Sequence, residues 1–139
     1  MNHLFLEDLK ELDEAGVKAH LAEEYSGDKS GFDYGEPDDD DKAKVVKYLE
    51  DYNVVIAYES VGSCGCDSLS YFLLQHKETN QYQEFSGSHC SCFGFEGQFD
   101  PQEATLEYLK SDKFNFWCGG YDDNETENQK AVKDFLAAL

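Results

Sequence analysis

Three apolar segments between residues 54 and 85 constrain the fold of this chain most strongly. Residues 54–58 read VVIAY, a run of β-branched side chains that is typical of a strand. The segments SYFLLQ at residues 70–75 and QYQEF at residues 81–85 flank KETN, which predicts a hairpin with a longer turn. The three segments together predict an antiparallel sheet.

Helical spacing of apolar residues predicts three helices ahead of these strands. The first helix is predicted over residues 2–16, since Gly16 is a typical helix stop. The second is a shorter helix that follows it and extends up to residue 25. A third helix is predicted over residues 41–51. It is expected to bury Val45, Val46, Leu49 and Tyr52.

Two further helices are predicted after the hairpin. Residues 101–110 form the first, with Asp100 as the N-cap, Pro101 at the first helical position and Glu103 in the capping-box position. Residues 124–138 form the second. It is expected to bury Val132, Phe135, Leu136 and Leu139. The aromatic segment at residues 114–118 is predicted to be extended.

The order of these elements predicts an α+β fold with a small antiparallel sheet of three or four strands, packed with C-terminal helices. Residues 26–41, SGDKSGFDYGEPDDDD, have the composition of a loop. We therefore divide the chain into an acidic, mainly helical N-terminal segment over residues 1–52 and an α+β core with two Cys-x-Cys loops over residues 53–139.

The two Cys-x-Cys pairs are expected to lie at one end of the sheet. Cys64 and Cys66 follow the first strand, whereas Cys90 and Cys92 follow the second arm of the hairpin. The KETN turn lies at the opposite end of an antiparallel meander. The two pairs are therefore predicted to converge.

Convergence permits a zinc site made of these four thiolates, with His89 or Cys118 as a substitute ligand. One residue separates the ligands of each pair, whereas structural zinc sites usually have two to four. Residues two apart on an extended strand lie about 7 Å apart, so a turn at Gly65 would be required. The alternative is that the cysteines are reduced and pack as small hydrophobic side chains.

Two other uses of the cysteines have less support. Disulfides are disfavoured, because five cysteines is an odd number and the N-terminus lacks the pattern of a signal peptide. A cytosolic location, where thiols stay reduced, is expected instead. A nucleophilic site of Cys66 with His89 and Asp67 stays open, although no basic neighbour activates the thiol. Phosphate-binding glycine loops and His-Glu-x-x-His are absent, and we predict that the protein is not an enzyme.

The charge and the short apolar runs of the chain disfavour two classes of partner, nucleic acid and membrane. The sequence has 30 acidic residues and 11 basic ones, all of them lysine, for a net charge of −19. Direct nucleic-acid binding is therefore disfavoured. No segment approaches the roughly 20 apolar residues of a membrane span. A protein with a basic surface is the expected partner.

The stretch GSCGCDSLSYFLLQ…EFSGSHCSCFGFEGQFDPQEATLEYL resembles small, uncharacterised proteins encoded by bacteriophages and prophages. They share the Gly-Ser-Cys-x-Cys-Asp-Ser turn and the Ser-His-Cys-Ser-Cys-x-Gly-Phe-Glu segment. The resemblance covers the chain from residue 54 onward. It implies a phage origin and a location in the cytoplasm of the bacterial host, and it transfers no catalytic role to any residue.

Phage origin and charge together predict an acidic binding protein. It would inhibit or redirect a host protein that handles nucleic acid, such as a defence protein, by presenting carboxylates in place of DNA phosphates. The candidate partner-binding residues are Glu23, Glu24, Asp38, Asp39, Asp40, Asp41, Asp122 and Asp123. Added solubility is the simpler interpretation of the charge. A zinc-stabilised protein–protein interaction module is the alternative function, and a Cys/His-dependent enzyme is the third.

Overall fold

A computed structural model describes residues 3–26, 39–61, 68–89, 98–111, 113–114 and 125–139. In chain order its elements are β1 (Leu4–Glu7), α1 (Glu14–Glu24), α2 (Asp39–Leu49), β2 (Tyr52–Val61), β3 (Ser68–His76), β4 (Tyr82–His89), β5 (Gln102–Ala104), α3 (Leu106–Leu109) and α4 (Glu125–Ala137). The predicted α+β class is confirmed, and so are the three central strands, the hairpin and the C-terminal helix.

The described strands form one sheet in the order β1-β2-β3-β4-β5. Strands β2, β3 and β4 make the predicted antiparallel meander, and β5 pairs antiparallel with the first residues of β4. Strand β1 instead runs parallel to β2, with Leu4 opposite Ile56. The sheet is therefore mixed and has five strands, rather than three or four antiparallel ones.

The helix predicted over residues 2–16 is wrong. Residues 4–7 form β1, and Phe5 packs into one core while Leu4 and Leu6 contact the other. Helix α1 begins only at Glu14, because the Asp13 side chain caps it by accepting a 2.7 Å hydrogen bond from the Gly16 amide. Gly16 thus belongs to the first turn. A Cβ there would lie 3.1 Å from the capping oxygen, which favours glycine at this position.

Helices cover both faces of the sheet. On one face, α1 and α2 enclose a core that includes Val17, Leu21, Val45, Leu49 and Phe72. On the other face, Leu109 of α3 and Val132 and Leu136 of α4 pack against the opposite side chains of the strands. Residues 3–26 and 39–52 therefore contribute to the same cores as the later strands. The division of the chain near residue 52 stays a prediction.

Two other helix predictions need correction. Residues 102–104 form β5, and α3 is a single turn capped by the Thr105 hydroxyl, because pairing with β4 extends the chain where a helix was expected. Pro101 therefore precedes a strand at the sheet edge, a position that tolerates proline. Helix α2 begins at Asp39 and buries Val45 and Leu49. Val46, however, is 49% exposed, and Tyr52 belongs to β2.

Candidate functional site

The acidic residues of α1 and α2 that the sequence nominated lie close to one another. Glu23 and Glu24 end α1, and Asp39 to Asp41 form the first turn of α2. Lys42 joins the two helices through a 2.9 Å ion pair with Glu23. We call Glu23, Glu24 and Asp39 to Asp41 the acidic helix surface. Asp38, Asp122 and Asp123 lie outside the described residues.

Helix stability explains only part of this surface. Asp39 to Asp41 lie at the N-terminal end of α2, where negative charge interacts favourably with the helix dipole. Glu23 and Glu24 lie at the C-terminal end of α1, where negative charge is unfavourable, and the last turn of α1 contains no basic residue. Lys42 offsets the charge of Glu23. The carboxylates of α1 therefore stand where helix electrostatics does not favour them.

A second group of polar side chains surrounds the buried carboxylate of Glu59. His20 Nε2 lies 2.8 Å from Glu59 Oε1, and the Tyr25 hydroxyl donates a 2.6 Å hydrogen bond to the same oxygen. Glu59 is 6% exposed, whereas the side chain of His20 is 25% exposed. The cluster therefore opens to solvent through the imidazole.

The charge of Glu59 changes the titration of both neighbours. Burial alone would lower the pKa of His20. The hydrogen bond and charge of Glu59, with the charges of Glu24 and Asp8, outweigh burial and raise the pKa above its usual 6.5. Burial, followed by the charge and hydrogen bond of Glu59, raises the pKa of Tyr25 well above 10. Tyr25 therefore stays a neutral donor.

A histidine held by a buried carboxylate is also found among general bases and metal ligands. The described part of the chain contains no cysteine. Within it, no three His, Cys, Asp or Glu side chains are grouped to hold a metal ion. Sequence reasoning missed the cluster, because His20 and Glu59 are far apart in the chain. A glutamate at the end of the apolar run VVIAYES was the available signal.

The strand ends next to the cysteine segments are adjacent in the sheet. Val61 at the end of β2 is paired with Ser68 at the start of β3, and Ser68 is paired with His89 at the end of β4. The cysteines at positions 64, 66, 90, 92 and 118 lie outside the described residues. The zinc site of Cys64, Cys66, Cys90 and Cys92 stays a prediction.

A groove of about 670 Å³ runs along β4 on the side of the sheet that α3 covers. Glu84 Oε2 accepts a 2.7 Å hydrogen bond from the Tyr71 hydroxyl, and burial, together with the charge of Glu84, raises the pKa of Tyr71. The ring of Phe114 lies edge-on to those of Tyr71 and Tyr108, at centroid distances of 5.7 and 5.9 Å. We call this cavity the β4 groove.

The β4 groove includes an edge of the sheet. Strand β5 pairs only with Tyr82 to Glu84. Beyond Glu84, the Gln98 side chain accepts a 2.8 Å hydrogen bond from the Ser88 amide and donates a 2.7 Å hydrogen bond to the Ser88 carbonyl. One carboxamide thus pairs with Ser88 as a peptide unit of a neighbouring strand would. Sequence reasoning missed this groove, because residues 101–110 were predicted to be a helix.

Comparison with known proteins identifies no relative: no family model, no curated protein and no solved structure matches the chain. Among the described helices, none is long and apolar enough to cross a membrane.

Proposed function

We propose that this chain is a phage-encoded acidic binding protein, which acts in the cytoplasm of a bacterial host and inhibits or redirects a host protein that handles nucleic acid. A defence protein is the target class that we favour. The observation that carries the proposal is the acidic helix surface, where Glu23 and the start of α2 lie side by side.

The physical basis of recognition is the replacement of phosphates by carboxylates. A protein groove that binds DNA is lined with lysine and arginine, and its attraction for anions does not require DNA. Asp39, Asp40, Glu23 and Glu24 are exposed, so a partner can reach them without unfolding the helices. The net charge of −19 adds a long-range attraction to a basic partner and repels nucleic acid. The protein would act by binding alone, without catalysis.

Capture from a bacterial lysate tests this proposal. The immobilised protein is exposed to nuclease-treated lysate at low salt, and retained proteins are eluted with increasing salt and identified by mass spectrometry. We expect a nucleic-acid-handling protein that elutes as salt rises, because salt screens exposed charge pairs.

Two variants with the same net charge locate the interaction. Asp39→Asn/Asp40→Asn/Asp41→Asn should weaken binding of the captured protein about tenfold, since three charge pairs near the surface contribute about 0.5 kcal/mol each. Glu11→Gln/Glu50→Gln/Glu78→Gln removes three other exposed carboxylates and should retain nearly full binding. Equal loss in the two variants would show that only net charge matters and would contradict a specific acidic surface.

The second candidate function is a zinc-stabilised protein–protein interaction module. It is favoured by the register of Val61, Ser68 and His89, which brings together the strand ends next to the cysteine segments. Such a module would bind its partner through apolar contacts that tolerate salt. Metal removal would lower its melting temperature sharply, because zinc binding is coupled to folding. Salt-resistant capture combined with chelator-sensitive melting would favour this function over the first.

A further inference from the structure

The β4 groove combines negative charge with aromatic rings. Among the described residues, its lining includes the carboxylates of Glu84 and Asp100 and no lysine, and none of the described lysines forms an ion pair with Glu84. Tyr108 is 37% exposed, and its ring lies edge-on to that of Phe114. Carboxylates beside accessible aromatic faces are the surroundings that a cationic side chain favours.

The direction of the side chains along β4 adds a second observation. Glu84, Ser86 and Ser88 alternate with Phe85 and Gly87, so their side chains share one face of the sheet. Glu84 reaches Tyr71, which is opposite Ser86 in the register, so this is the face on which the groove lies. The groove therefore follows the strand rather than forming an isolated hole.

The edge of β4 supplies the third observation. Gln98 pairs with both backbone groups of Ser88, and β5 pairs with the strand only as far as Glu84. Residues 98–101, which lead into β5, follow this edge beyond Glu84, and the ring centroid of Phe99 lies 5.0 Å from that of Phe85. The chain itself therefore occupies this edge of β4, so a partner would reach the groove with a side chain and not by adding a strand.

We propose that the β4 groove binds an arginine side chain of the basic partner, with the guanidinium held between Glu84 and the rings of Tyr108 and Phe114. The inference rests on the proposed function, since it assigns this groove to the same partner. Arginine fits better than lysine, because its planar group stacks on aromatic rings and pairs bidentately with a carboxylate.

A short synthetic peptide of alternating threonine and arginine, acetylated and amidated, tests the groove directly. Its affinity is measured by fluorescence polarisation at about 0.15 M salt, where exposed charges are screened within about 8 Å. A peptide with citrulline in place of arginine keeps the shape and hydrogen-bonding groups but carries no charge. We expect the arginine peptide to bind and the citrulline peptide to show no measurable binding.

Matched variants separate the groove from the general charge of the protein. Glu84→Gln should weaken peptide binding about tenfold, and Tyr108→Ala about fivefold, since each removes one of the two groups that hold the cation. Glu103→Gln is the control. Glu103 is exposed and pairs with Gln83, so its side chain points to the opposite face of the sheet. This variant should bind like the wild type. Unchanged circular dichroism and melting temperature show that each variant is folded.

Amide NMR spectra report where the peptide binds. The proposal predicts chemical-shift changes at the amides of Glu84, Ser86 and Tyr108, which line the groove. Binding that survives Glu84→Gln but is lost in Asp39→Asn/Asp40→Asn/Asp41→Asn would place the peptide on the acidic helix surface, which overturns the groove and leaves the proposed function standing. Absence of any peptide binding also overturns the groove. Groove binding without lysate capture would instead contradict the proposed function alone.

Discussion

Burial of Glu59 removes a carboxylate from water, and the two donors that reach it, His20 and Tyr25, offset that cost. His20 lies in α1 and Tyr25 is its C-cap residue, so the cluster also attaches this helix to β2. The carboxylate has one donor that stays neutral, Tyr25, and one that titrates, His20, whose pKa is raised above its usual 6.5. The strength of this attachment therefore depends on pH.

The raised pKa of His20 predicts the direction of that dependence. Because the folded pKa exceeds the unfolded value of 6.5, the stabilisation is fully present below pH 6.5 and is lost as pH rises through the folded pKa. Urea unfolding at a series of pH values should show the free energy of unfolding falling across this window. In His20→Gln this part of the fall should disappear.

Tyr25→Phe is the control for this prediction. It removes the other donor to Glu59 but keeps the charge pair with His20, so stability should be lower at every pH while the slope persists. A pH slope that is the same in His20→Gln and in the wild type would contradict the assigned role of the Glu59 cluster.

Helix α2 gives the clearest contrast between helix positions, because Val45 and Val46 are neighbours with opposite environments. Val45 is 6% exposed and packs into the core with Leu49, whereas Val46 is 49% exposed. Val45→Ala should lower the free energy of unfolding by about 2 kcal/mol. Val46→Ala should change it by less than about 0.5 kcal/mol, since it removes little buried surface and alanine favours the helix. Chemical denaturation of the two variants measures both values, and equal losses would show that α2 packs differently.

The sequence predicted those elements whose pattern depends on local chain geometry. Three local patterns each indicate a single type of element. The β-branched run indicates strand β2, the two arms around the KETN turn indicate the β3–β4 hairpin, and the apolar spacing near the C-terminus indicates helix α4. Strands β1 and β5 were missed because they are short, with four and three residues. Pairing with β2 and β4 makes them strands, and their local sequences do not reveal those partners.

The sequence predicted the acidic helix surface but not the Glu59 cluster or the β4 groove, because only the first is formed by residues that are grouped along the chain. Carboxylates that are grouped near predicted helix ends are visible in a sequence, so Glu23, Glu24 and Asp39 to Asp41 could be nominated. The contact of His20 with Glu59 and that of Gln98 with Ser88 depend on tertiary packing. The residues of each pair are too far apart in the chain for a helical or strand periodicity to reveal the contact.

On the scale of the whole molecule, the net charge of −19 is carried on a fold with two well-packed cores. Self-repulsion of such a charge destabilises a compact state, and salt that screens it should help the fold while it weakens binding to a basic partner. A sheet covered by helices on both faces tolerates this charge, because the apolar residues are enclosed between layers. The carboxylates of Glu23, Glu24, Asp39 and Asp40 are exposed, where a partner can reach them.

Competition with DNA for the captured partner tests the central claim most directly. A fluorescent duplex is bound to the purified partner, and this protein is added at low and at high salt. If carboxylates replace phosphates, the protein will displace the DNA, its apparent affinity will fall as salt rises, and the protein alone will show no affinity for the duplex. Simultaneous binding of DNA and this protein to the partner, with an affinity that is unchanged between the two salt concentrations, would contradict the account.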